Sequence, residues 1–260
     1  GNLHGASVAA APPGASPTCA MKSLPLHLPM TTPEQKLEQC RARIDAIDET
    51  LMKLLLERIE IVAEVGALKN ATWPRDCHIR PGREAKMHRK IVERFRGTKF
   101  STRAAFLIWR QIIGASTSIE SLLKVAVLAE EHRARARNYF GANAQITLCA
   151  SLAELSTALA NKTATIALIP AVLPAGWWDA IPERFRIFAQ LPILARDCAR
   201  LPTLYALADL DPEPSGEDVS LYVVNGAINI LDGFVPPENA NLPGSRFLGA
   251  CAKPIRSETL

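Results

Sequence analysis

Between Pro33 and Pro74 the chain runs without a proline, and its apolar positions recur at alternating steps of three and four: Leu37, Cys40, Ile44, Ile47, Leu51, Leu54, then Ile61, Val65 and Leu68. That spacing is the seam of one long, coiled-coil-like helix, with Pro33 and Glu34 suited to its first turn. A helix of nearly forty residues is ~60 Å long at 1.5 Å per residue, about twice the diameter of a small domain. It needs a partner of similar length, and the simplest is its own copy in a dimer. One position breaks the seam: Arg58 stands where the repeat asks for a leucine. A lone arginine on a long helix ordinarily snorkels to water, but one on a buried seam demands an anion. No acid occupies the seam, so another helix or a ligand must meet the charge.

Other cations share the neighbourhood. Lys69 lies eleven residues beyond Arg58 and returns to within ~20° of the same helix face. Arg41, seventeen residues before Arg58, points away by roughly 100°, so only a second copy of the helix would bring it to the same ligand. A breaker-rich loop at 70–82 leads to helices at 83–96 and 103–123. Arg83 and Glu84 open the first of these, and Ser116 and Glu120 share one face of the second.

Beyond Leu123 the texture changes to short strand-like runs alternating with short helices: KVAVLA at 124–129, a helix to 141, QITLCA at 145–150, a helix at 151–162 and ATIALIP at 164–170. Ser151 and Glu154 form a capping box. This is a β-α-β-α-β string and predicts an α/β domain, continued by strands in FRIFAQLPIL, LYALADL, VSLYVVNGAINIL and FLGACA, with 211–218 as an exposed turn. Trp177 and Trp178 read as core or interface. Residues 1–30, rich in Ala, Pro, Gly and Ser, read as disordered or added upstream sequence, with Met30 as a natural start.

Composition narrows the function. The net charge of +4 suits an anionic ligand and gives no reason to expect nucleic acid. Six scattered cysteines without a C-x-x-C pair suggest neither zinc nor a disulfide framework, and are read as reduced thiols in a cytoplasm. The most apolar stretch, 163–178, is broken by Pro170 and Pro174 and is short of the ~20 residues a membrane span requires.

Several motifs in order carry a resemblance: R-x-x-I-D-x-I-D-E at 41–49, Glu57-Arg58, V-G-x-L-K at 65–69, P-x-R-E at 81–84 and I-W-R-Q-I-I-x-A-S-x-x-x-E at 108–120. Together they resemble the all-helical chorismate mutases, especially those fused in front of prephenate dehydratase. The resemblance implies an intertwined helical dimer whose long helices are each shared between two sites, acting on chorismate as an isomerase with no metal or cofactor. It implies that Arg58 binds one substrate carboxylate, that Arg41 of the other subunit binds the second, that Lys69 donates to the ether oxygen and that Glu84 accepts from the ring hydroxyl. Arg83 and Ser116 would complete the polar lining. Relatives often place a glutamine where this chain has Glu120, so Glu120 is expected to work protonated, its pKa raised by burial, with activity declining as pH rises. Arg80 falls where relatives can carry an acid, and reads as a surface charge.

The segment from 124 to 170 resembles the opening lobe of prephenate dehydratase, whose fold is like that of periplasmic binding proteins. It departs from that family at three places. The first strand runs into Ala129, Glu130, Glu131 and His132 instead of a glycine-rich turn; Ala171, Val172 and Leu173 replace an acid-amide-serine stretch; and Glu183-Arg184-Phe185 stands for a Thr-Arg-Phe triplet. The expected organisation is therefore a mutase domain at 31–121 and, at 122–260, a dehydratase-like α/β domain without dehydratase activity, kept for structure, for an effector or for docking another enzyme of the aromatic pathway. Two other readings of the helical part are an isochorismate-pyruvate lyase and a non-catalytic dimerisation module.

Overall fold

The computed structural model describes residues 32–72, 78–195 and 203–256; residues 1–30, read above as disordered or added, lie outside them. The chain divides into two compact units, one ending at Lys53 and one beginning at Leu54.

In the first unit a single helix begins. Helix α1 spans Pro33–Thr72, and its start is a reciprocal capping box that the sequence reading passed over. Thr32 Oγ1 accepts from the Gln35 amide at 3.2 Å, and Gln35 Oε1 accepts from the Thr32 amide at 2.9 Å. The expected seam is present but uncovered: Leu37, Ile44, Ile47, Leu51, Leu54, Ile61 and Leu68 are each more than half exposed, and Gly66 is the buried residue of this helix. Arg58 is likewise exposed in the single chain, not buried as the seam predicted.

The second unit continues through α2 (Pro81–Phe95) and α3 (Thr102–Glu120). Helix α2 starts two residues before the expected position because Pro81, which lacks an amide hydrogen, suits a first helical turn. Helix α3 is capped by Ser101, whose hydroxyl accepts from the Ala104 amide at 3.3 Å. It ends at Glu120, not 123, since Ser121 is already extended and Leu123 turns into the core.

A mixed eight-stranded sheet follows, built from β1 (Lys124–Val127), β2 (Gln145–Leu148), β3 (Ile166–Pro170), β4 (Phe185–Leu191), β6 (Leu204–Asp209), β7 (Asp218–Val224), β8 (Ala227–Asp232) and β9 (Arg246–Ala252). A separate parallel pair joins β5 (Leu194–Ala195) to β10 (Ile255–Arg256). The large sheet has the order β2-β1-β3-β6-β4-β9-β7-β8. Its first three strands are parallel, joined by α4 (Glu131–Phe140) and α5 (Leu152–Ala160), as the β-α-β-α-β string predicts. The rest departs from a simple α/β pattern, because β6 runs antiparallel to both β3 and β4, and β7 to both β8 and β9. The β7–β8 hairpin turns through Asn225 and Gly226, both at positive φ (51° and 76°), the backbone that tight two-residue hairpins require.

Alternate residues of the central strands feed two cores. Val125, Val127, Ile166 and Leu168 join Tyr139 and Phe140 in one, while Ala126, Ala167 and Ile169 join Leu155, Leu159, Trp177 and Trp178 in the other. The tryptophans are thus core residues. The 211–218 segment is not a free turn: Ser215 and Asp218 are buried, Arg89 donates to the Ser215 carbonyl, and Gly82 of α2 lies so close to Pro214 O that a Cβ would come within 2.8 Å of it. Asp218 draws the segment in by accepting from the Ser215 and Gly216 amides at 2.8 and 3.1 Å. Among the described residues no helix is long and apolar enough to cross a membrane, and no three His, Cys, Asp or Glu side chains are placed to hold a metal.

Helix α3 lies backbone to backbone against the end of α4. A Cβ on Gly114 would overlap the Phe140 carbonyl and lie 2.8 Å from Gly141 Cα. Gly114→Ala should therefore cost about 1–3 kcal/mol of stability through overpacking, read as a lowered urea midpoint. A loss within about 0.5 kcal/mol, the range of an ordinary surface substitution, would show that the two helices do not approach so closely.

Candidate active site

Three helices of the second unit bring the charged residues together. Gly66 permits the approach of α1 to α3: a Cβ there would stand 3.3 Å from Glu120 Cα. One turn further along α1, Lys69 Nζ donates to Glu120 Oε2 in an ion pair whose side chains are only 23% and 13% exposed. Asn70 supports the same corner, its amide nitrogen 3.4 Å from the Glu120 carbonyl and its oxygen 2.8 Å from His78 Nε2.

Arg58 reaches α3 at Ser116. The Ser116 hydroxyl gives its hydrogen to the Ile112 carbonyl at 2.7 Å, so its oxygen is left to accept from Arg58 Nη1. The guanidinium is thus met by a neutral hydroxyl and not by a carboxylate. Its pKa is lowered from the ordinary arginine value, first by burial of the head group, then by Arg83 nearby, with Glu120 acting the other way. Arg58 as a whole is exposed, while its contact with Ser116 is partly buried. An arginine remains charged under any such shift. Arg83 itself is exposed and has no acidic partner among the described residues. Among the described residues Arg58 thus has a second cation, Arg83, and one carboxylate, Glu120, acting on it, and that carboxylate is already paired with Lys69. Such a surplus of positive charge suits an anion.

Glu84 is held differently. It is buried, with Oε2 2.6 Å from Arg110 Nη1, and Arg110 is itself 2% exposed. Arg110 also donates through Nε (2.8 Å) and Nη2 to the Tyr139 carbonyl, and its guanidinium lies 4.0 Å from the centre of the Tyr139 ring. Its Nη1 is 3.2 Å from His88 Nε2. Since arginine only donates, His88 must accept there, which leaves its proton on Nδ1. Burial, then the charges of Arg110 and Arg89, hold the His88 pKa well below 6.5. The sequence reading missed Arg110, although it sits on the buried face of α3 between Phe106 and Gly114. An arginine at helical spacing among core positions was the available signal.

Arg41 and Arg80 have partners of their own. Arg41 belongs to the first unit and pairs with Glu38 at 3.6 Å on its own helix. Arg80 pairs with Glu213 near the surface, with its side chain 55% exposed, in keeping with a surface charge.

Residues 40–121 match the chorismate mutase type II family model. That stretch holds Arg41, Arg58, Lys69, Arg83, Glu84, Ser116 and Glu120. Three curated relatives each bear the name bifunctional chorismate mutase/prephenate dehydratase. The protein from Aquifex aeolicus (strain VF5) is 32% identical over 144 residues, covering 52% of this chain and 39% of the relative. That from Stutzerimonas stutzeri is 34% identical over 112 residues (41% and 30%), and that from Pseudomonas aeruginosa is 29% identical over 143 residues (53% and 39%). The matched part thus spans well under half the length of these relatives. A solved structure titled "GqqA- a novel type of quorum quenching acylases" aligns over 50% of this chain and 94% of its own, at 10% identity and a TM-score of 0.35, too low to carry an argument. Residues 40–121 are thus similar to a chorismate mutase type II domain, and Arg110, which lies within that stretch on α3, is buried against α4.

The His88 arrangement has a pH signature. In the unfolded chain the imidazole takes up a proton near 6.5, whereas in the fold it resists doing so. The unfolded state then binds more protons, so the stabilising contribution is complete above about 6.5 and is lost as pH falls below it. His88→Gln should show a shallower decline in urea midpoint between about pH 7.5 and 5 than the parent. Parallel curves would mean that His88 does not carry this dependence.

Proposed function

We propose that residues 40–121 catalyse the rearrangement of chorismate to prephenate. The observation that carries this reading is the uncompensated positive charge: Arg58 and Arg83 lie close together, Arg58 resting on a hydroxyl, beside the Lys69–Glu120 pair. Chorismate is a dianion, and its rearrangement is unimolecular, so it needs no nucleophile, metal or cofactor. Catalysis then consists of holding a compact conformer and aiming donors at the ether oxygen as it gains negative charge.

In this reading Arg58 exchanges its contact with Ser116 for a substrate carboxylate, and Arg83 and Ser116 line the pocket. Lys69 turns from Glu120 to the ether oxygen, and Glu120 works protonated in this reading, donating to that oxygen instead of repelling it. Glu84 uses Oε1 to accept from the ring hydroxyl, since Oε2 is occupied by Arg110, which acts as a positioning residue. Arg41 of a second subunit supplies the remaining cation. The exposed apolar seam of α1 supports that arrangement, because such a seam is stable in water only when another helix covers it.

Residues 122–260 are then a dehydratase-like domain, like part of a periplasmic binding protein, without the dehydratase activity in the relatives' names. In support, Arg184 of the altered triplet is half exposed and engaged by Asp209 at 2.9 Å. Prephenate incubated with the purified protein should give no phenylpyruvate above the acid-catalysed background, and formation above it would overturn this part.

Loss of chorismate absorbance between about pH 5 and 8 tests the mutase. The parent should convert chorismate saturably, faster at the acid end, and Arg58→Ala should lower kcat/KM by about 10²–10³-fold, the scale for removing one charge-stabilising donor. Glu120→Gln should stay active with a flattened pH profile; an unaltered profile would refute the protonated role. Absence of conversion by the folded protein, or a preference for isochorismate with release of pyruvate, would overturn the assignment. By light scattering the protein should be a dimer at micromolar concentration, and a monomer there would sink the shared site.

A further inference from the structure

A cavity of about 320 Å³ lies between α3, α4 and the chain leaving β4, within the size range of small-molecule sites. Each helix contributes residues at i, i+3 and i+4, hence on one face: Arg103, Phe106 and Leu107 from α3, and Arg135, Asn138 and Tyr139 from α4. The apolar link at 191–194 supplies the third wall, with Thr203 beside it. Among the described residues no carboxylate lines the cavity. Arg135 spends one donor on Thr203 Oγ1, which in turn donates to the Leu191 carbonyl at 3.2 Å. Arg103 has no ion pair or hydrogen bond among the described residues.

Two guanidinium groups without an acidic partner among the described residues, over a largely apolar chamber, fit a particular chemistry. We propose that this cavity binds a small organic monocarboxylate with an apolar body, the carboxylate between Arg103 and Arg135 and the body against Phe106 and Tyr139. An inorganic anion would satisfy the arginines but leave the rings and aliphatic walls unfilled, and a neutral apolar molecule would leave both charges unmet. The two rings also touch the buried network: Arg110 stacks on Tyr139 at 4.0 Å, and His88 lies 4.9 Å from Phe106. A ligand seated here rests on rings that pack against Arg110, which holds Glu84, and against His88. The binding itself does not depend on the mutase reading.

Titration calorimetry on the full chain tests it, with hydrocinnamate as the probe and hydrocinnamamide and inorganic phosphate as comparisons. Hydrocinnamate should bind saturably at millimolar concentration or below. The amide, phosphate, and hydrocinnamate with the Arg103→Gln/Arg135→Gln double variant should each bind at least about tenfold more weakly, the loss of one charge-assisted hydrogen bond. Arg58→Ala should leave the affinity unchanged. Absence of saturable heat, equal binding of the amide or of phosphate, or undiminished binding by the double variant would overturn the proposal. Loss of binding in Arg58→Ala would also overturn it, by placing the acid at the α1–α3 site.

Discussion

A guanidinium taken out of water must be met by acceptors on every side that carries a donor, and Arg110, on α3, meets that demand with groups from two other helices. Glu84 comes from α2, and the Tyr139 carbonyl and ring from α4. Removing one partner would strand the others, because a buried charge that loses its counterion is far costlier than a pair that never formed. The network thus does more than add a bond. It ties the orientation of the helices to the sheet domain through one set of side chains, and it fixes which oxygen of Glu84 remains free.

The close backbone contact beside it makes that geometry attainable. Arg110 and Gly114 are one turn apart on α3. The absence of a side chain at Gly114 lets the Phe140 carbonyl and Gly141 lie against the helix, so Arg110 can reach the last carbonyls of α4. Gln111 adds to the same junction, accepting from the Ala142 amide at 3.0 Å and donating to the Arg137 carbonyl at 3.3 Å. Side chains of α3 therefore donate to carbonyls in the last turn of α4, where intrahelical donors run out, and the Arg137 carbonyl also accepts from the Gly141 amide at 3.0 Å. The mutase-type helices and the sheet domain are joined by polar groups that each side needs.

Legibility in the sequence followed the range of the interaction. The extent of α1, the capping box at Ser151, the parallel start of the sheet and the buried tryptophans were all readable, since each rests on periodicity or on neighbours within a few residues. Ser151 indeed accepts from the Glu154 amide at 3.2 Å, although Glu154 reaches back to Ala150 at 2.7 Å and not to the cap residue itself. The positions of Arg58, Lys69, Ser116 and Glu120 could be singled out by spacing and resemblance, and two of the contacts among them form in the single chain. The antiparallel half of the sheet was not readable as such. Strand direction depends on where each strand finds its partner, and composition is blind to that.

By itself the sequence determined which residues carry charge on helical faces, that a long helix would present an apolar seam, and that a surplus of cations would gather near one another. Only the tertiary structure decided how those charges are met: Ser116 for Arg58, Glu120 for Lys69, Arg110 for Glu84, and Glu213 for Arg80. It also decided that 211–218 folds inward, because Asp218 gathers the amides of Ser215 and Gly216. The physical reason is common to all of these. Periodicity is a property of local backbone geometry and survives in any context, whereas the partner of a charge is settled by which distant segments pack against it, and so by the whole fold at once.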